Sequence, residues 1–125
     1  MTQLTIFDLL NVDEPEPEYT DGTRMILDIF RDQESKYIDR AALRELVQVR
    51  SGRYVPDRTM RKMIETARQE GVVICNGQDG AGYFLPTTKE ELKRQFDQNE
   101  SRALSIMRQQ KFIRREMQKW TSAER

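Results

Sequence analysis

The residues of this chain best suited to chemistry are six bases gathered between positions 50 and 68. Arg50, Arg53, Arg58, Arg61, Lys62 and Arg68 stand there against two acids, Asp57 and Glu65. Arginine and lysine bind phosphate oxygens, and arginine also pairs with O6 and N7 of guanine. Arg58, Arg61, Lys62 and Arg68 fall on one predicted helix, with Arg50 and Arg53 just before it. The pattern points to double-stranded DNA as a partner. It is equally the pattern of a helix face kept soluble by arginine.

Other chemistry is largely excluded. The chain has no histidine, which removes Ser-His-Asp and Cys-His catalysis and histidine-based metal sites. The glycine-rich stretch Asn76–Gly82 lacks the Lys and Ser/Thr that end a phosphate-binding P-loop. The carboxylates show no acid/base or metal-ligand spacing, so no enzyme activity, cofactor or metal is expected. The single cysteine, Cys75, excludes an intramolecular disulfide and suits a reducing cytoplasm. Its place in Val72-Val73-Ile74-Cys75 predicts a buried structural thiol. No signal peptide or membrane span is expected, because no apolar run is long enough.

The positioning elements are readable from periodicity. Met25, Ile26, Ile29 and Phe30 predict a first helix from about Thr23 to Gln33. Tyr37-Ile38 reads as a short strand. Asp39 can cap a second helix with Ala42, Leu43, Leu46 and Val47 inside, and Ser51-Gly52 breaks it. The third helix follows Pro56, with Asp57 as cap, Met60, Met63, Ile64 and Ala67 as its buried stripe, and Gly71 as its stop. A hairpin comes next, with strands at Val72–Cys75 and Tyr83–Leu85 around a loop from Asn76 to Gly82. Thr88 and Glu91 form a capping box that opens a last helix. No proline or glycine follows before Trp120, which gives about thirty helical residues, or ~45 Å.

This order predicts an α+β, mostly α fold: a winged helix of three helices plus a β-hairpin wing, followed by a long C-terminal helix. Residues 1–22 are an acidic arm, 23–86 the winged-helix domain and 87–125 the long helix. The motifs Arg61-Lys62-Met63-Ile64, Glu70-Gly71-Val72-Val73-Ile74 and Gly82-Tyr83-Phe84-Leu85, with the capped helix after them, resemble a group of small phage and prophage winged helix-turn-helix proteins. The resemblance covers roughly residues 23–110. It implies a DNA-binding or replication-associated accessory protein in the cytoplasm of a bacterial host. One departure stands out: the loop from Asn76 to Gly82 carries no Lys or Arg and contains Asp79.

The chain is neutral overall but polarised. Residues 1–22 hold six acids and no base, 23–86 eleven bases and nine acids, and 87–125 ten bases and six acids. Within the arm, Gln3-Leu4-Thr5-Ile6-Phe7 looks like the pentapeptide by which bacterial proteins dock to the replicative sliding clamp. Gln3 would bond at a pocket rim, while Leu4, Ile6 and Phe7 would fill apolar pockets. A protein-interaction adaptor is therefore a second reading. These same apolar residues also suit folding back onto the body or pairing with another subunit.

The long helix carries a seam at 4-3 spacing: Leu92, Phe96, Asn99, Ala103, Ile106, Gln110, Ile113, Met117 and Trp120. Leu92, Phe96, Ala103, Ile106, Ile113, Met117 and Trp120 are the expected dimerisation residues. The seam suits packing against the first helix of the same chain or against a second subunit, and a homodimer is the simplest source of cover for a stripe of this length.

Overall fold

A computed structural model describes residues 18–77 and 80–123 of the chain. Four helices and three short strands occur among them: α1 Asp21–Asp32, β1 Tyr37–Asp39, α2 Arg40–Ser51, α3 Asp57–Gln69, β2 Cys75–Asn76, β3 Gly82–Phe84 and α4 Lys89–Ala123. The strands form one antiparallel sheet in the order β1-β3-β2. The element and strand orders are those of a winged helix with an added long helix, so the chain is α+β and mostly α.

The fold divides into two compact units. Among the described residues, the first comprises 18–34 and Ala41–Val72, the second Ser35–Arg40, 73–77 and 80–123.

In the first unit, α1 packs against α3. Ile26, Ile29, Leu43, Met60 and Ala67 are fully buried, and Val47 and Ile64 nearly so. Met60, Ile64 and Ala67 recur at helical spacing because α3 has one apolar stripe and seals it inward. The helix ends in a Schellman motif. The Gly71 N–H donates to the Arg68 carbonyl and the Val72 N–H to the Ala67 carbonyl. Gly71 has φ +105°, a conformation glycine adopts without a Cβ penalty.

Two boundaries differ from the sequence expectation here. Asp57 is the first helical residue, while Pro56 takes the N-cap position with extended φ and ψ. The Asp57 carboxylate instead pairs with Arg61 Nε at 3.0 Å. α1 starts at Asp21, ahead of Thr23, because Thr20 is tied down: its N–H and hydroxyl both donate to the Glu70 carboxylate, at 2.8 and 2.9 Å.

In the second unit, Tyr37, Ile38 and Asp39 of β1 lie opposite Phe84, Tyr83 and Gly82 of β3. Cys75 and Asn76 of β2 lie opposite Phe84 and Tyr83. Ile38, Ile74, Cys75 and Tyr83 are buried, so Cys75 is the structural thiol expected. The hairpin strands are displaced from their expected bounds. β2 is Cys75–Asn76 rather than Val72–Cys75, because Val72 spends its N–H on the Schellman motif. β3 is Gly82–Phe84 rather than Tyr83–Leu85, because Gly82 pairs with Asp39 and closes the loop by accepting from the Gly77 N–H at 2.8 Å.

The capping box opens α4 as expected. The Glu91 N–H donates to Thr88 Oγ1 at 3.2 Å, and the Thr88 N–H donates to Glu91 Oε1 at 3.1 Å. Lys36 adds a clamp, with its ammonium 2.5 Å from the Glu91 carboxylate and 2.7 Å from Thr87 Oγ1. Near its start α4 packs against β2, where the buried Gln95 side chain accepts from the Asn76 N–H at 2.9 Å.

Candidate nucleic-acid interface

The site begins with the turn that delivers α3. Gln48 of α2 accepts the Val55 N–H at 3.0 Å, and Arg44 Nη1 donates to the Val55 carbonyl at 3.2 Å. Arg44 also donates to Gln48 at 3.1 Å. These bonds satisfy the backbone just before α3 and fix where the helix starts. The buried side chain of Val55 anchors the same turn. Arg44 is thus a positioning residue whose guanidinium is used within the fold. Its role was not legible from periodicity.

From that start, the 3.6-residue repeat sets every side chain of α3. With Met60, Ile64 and Ala67 facing in, Arg58 and Lys62 lie on the opposite face, one turn apart. Both are exposed, as is Arg53 in the preceding loop. Among the described residues, none of these three forms an ion pair. Glu65 continues the outer line and accepts a long hydrogen bond from Gln69 at 3.4 Å.

The other three bases are placed differently. Arg61 sits on the flank of α3 with Asp57. Arg50 pairs with Asp32 of α1 at 2.6 Å. Arg68 is half-buried near the end of α3. The six expected bases therefore form an outward set of Arg53, Arg58 and Lys62, and a second set held within the unit. The opposite flank of α3 borders a small cavity of about 220 Å³, lined by Thr20, Thr23, Thr59, Met63 and Thr66 among others.

Glu70 closes the unit at the far end of α3. The Thr20 backbone N–H that donates to it holds its carboxyl below the ordinary carboxylate range. This link joins residues fifty apart in sequence, and nothing in the local pattern announced it.

The hairpin loop brings no base of its own, since Asn76–Gly82 contains neither Lys nor Arg. Gln3, Leu4, Ile6 and Phe7 lie outside the described residues.

The seven expected dimerisation residues all lie on α4 and are all exposed. Phe96 is 65% exposed, Ile113 52% and Trp120 67%, so the seam is solvent-facing in the single chain. Its polar member Asn99 accepts from Gln95 Nε2 at 3.0 Å. Among the described residues no cluster of three or more His, Cys, Asp or Glu side chains is placed to hold a metal ion. No helix among them is long and apolar enough to cross a membrane. Comparison with protein-family models, curated proteins and solved structures found no match.

Proposed function

We propose that the chain is a phage or prophage DNA-binding accessory protein, acting in replication or transcription control in the bacterial cytoplasm. The observation that carries this reading is the outer face of α3. Arg58 and Lys62 project from it without a carboxylate partner among the described residues, and Arg53 precedes them on the same exposed turn. Such groups bind duplex backbone with little sequence selectivity and release condensed counterions. Arg50 and Arg61 can exchange their carboxylates for phosphates at small cost, because exposed ion pairs contribute only ~0–1 kcal/mol. Arg68 would add a contact at the end of the helix.

The test is binding of the full chain to random and genomic duplex DNA across a salt series. A variant with Arg58, Arg61, Lys62 and Arg68 all changed to Ala serves as the comparison. The expected result is affinity that falls with salt, and a variant that binds more weakly. Its log–log salt slope should be shallower by roughly one unit per lost phosphate contact. Equal binding by both proteins, or none even in low salt, overturns the assignment.

A second reading, a protein-interaction adaptor, is favoured by a hairpin loop that contains no Lys or Arg. A DNA-inserting wing ordinarily carries bases. In that reading Gln3–Phe7 docks a replication protein such as the sliding clamp. Clamp binding that survives the four-Ala variant and is lost on changing Leu4, Ile6 and Phe7 to Ala would establish it.

A further inference from the structure

The exposed seam of α4 fits a second copy of the same helix, and its flanking charges choose the direction. We propose that two chains pair through α4 as an antiparallel coiled coil centred on Arg108. This does not rest on DNA binding, and it can fail or succeed separately.

Antiparallel helices with a 4-3 seam place core residues opposite one another in layers, and flanking residues of like position meet across the seam. In the register centred on Arg108, Phe96 lies opposite Trp120 of the second copy and Ala103 opposite its Ile113. Small therefore meets large, and aromatic meets aromatic. Asn99 meets Met117, and its amide oxygen is already satisfied by Gln95. Ile106 meets Gln110, a polar layer near the centre of the kind that fixes register at some cost in stability.

The flanks then pair by charge. Glu100 lies opposite Arg114 of the second copy, and Arg102 opposite its Glu116. Two-fold symmetry makes each pair occur twice, giving four ion pairs. All four residues involved are exposed on α4. Among the described residues Glu116 has only a long local ion pair, 3.7 Å to Lys119.

The alternatives lack this match. A parallel pair would set Gln95 against Glu100, Arg102 against Met107, Gln109 against Arg114 and Glu116 against Thr121, with no opposite charges. Sliding the antiparallel register one heptad in one direction sets Lys93 against Arg114. Sliding it the other way sets Met107 against Arg114. The first slide sets like charges face to face, which is destabilising, and the second brings no opposite charges together, so the register centred on Arg108 has the best charge match. It also overlaps the seam from Phe96 to Trp120.

Sedimentation equilibrium and cysteine cross-linking of the full chain test the pairing. Glu100→Arg should raise the dimer dissociation constant by roughly ten- to thirtyfold, since it turns two attractive pairs into repulsive ones. Adding Arg114→Glu to it should restore affinity to within about threefold of the starting protein, by reversing both partners. Ala103→Cys and Ile113→Cys chains should form a disulfide with each other when mixed, and neither should do so alone. Circular dichroism checks that each variant keeps its helix, and these exposed positions should allow it. A chain that stays monomeric at high micromolar concentration overturns the proposal and leaves the seam to a different protein. Cross-linking of either cysteine variant with itself, or no rescue by the double reversal, overturns the antiparallel register.

Discussion

α3 and α4 carry the same kind of apolar repeat and put it to different use. In α3 the stripe Met60, Ile64 and Ala67 is at most 1% exposed. In α4 the stripe that includes Phe96, Ile113 and Trp120 is more than half exposed at each of these positions. Periodicity fixes which residues share a face, but only the neighbouring elements decide whether that face is covered. A stop distinguishes the two helices. α3 is ended after thirteen residues by Gly71, within reach of α1, whereas α4 runs for thirty-five without a glycine or proline.

The sharpest way to break this comparison is to shorten one side chain in each stripe. Ile64→Ala should cost about 2–5 kcal/mol of stability, the range for emptying a packed core site. Chemical denaturation of the dilute chain measures it, and a loss under 1 kcal/mol would show that α3 is not packed as described. Next in size is the stop itself. Gly71→Ala forces a Cβ into a left-handed backbone and should cost about 1–2 kcal/mol in the same assay.

Smaller, and confined to acid, is the effect at the start of α4. The Lys36 ammonium beside Glu91, with the Thr87 and Thr88 N–H groups, lowers its carboxyl from an ordinary 4.5 to about 2. A carboxyl depressed in the folded chain stabilises the fold above pH 4.5, and this contribution fades as pH falls toward 2. Glu91→Gln should therefore remove a pH-dependent part of α4 ordering in that window. Amide exchange at Glu91 and Leu92, followed from pH 5 to pH 2, reads it out. The smallest effect is expected at Ile113→Ala, within about 0.5 kcal/mol in dilute solution where the helix is unpaired. A large loss there would mean the seam is covered within one chain, and the contrast with α3 would disappear.

Much of the fold was legible because its punctuation is local. Gly71 marks a helix end through its own φ, and Thr88 with Glu91 marks a helix start through two reciprocal bonds three residues apart. The order of elements followed from those marks and from the apolar repeats. Strand bounds were less legible. Val72 and Val73 look like a strand by residue type, but the Val72 N–H is committed to α3, and pairing begins only at Cys75.

The candidate site was legible as a list of bases and not as a surface. Periodicity placed Arg58 and Lys62 on the outward face. It could not show that Arg50 meets Asp32 or that Arg44 turns in to hold Val55, because those partners lie many residues away. The Lys36 clamp on Glu91 and the Thr20 link to Glu70 escaped for the same reason. Long-range polar bonds leave no repeat in a sequence.

The ring of Tyr37 occupies the space beside two glycines of the hairpin. A Cβ on Gly77 would collide only with that ring, whereas one on Gly82 would also come within 2.5 Å of the Ile38 carbonyl oxygen. The two glycines are therefore constrained in different ways as the sequence drifts. Gly77 has no positive φ and the three atoms nearest its missing Cβ all belong to Tyr37, so an alanine there should appear only after Tyr37 has become small or together with that change. Gly82 has no such escape, because the atom blocking it belongs to the main chain of the neighbouring strand and no substitution removes it.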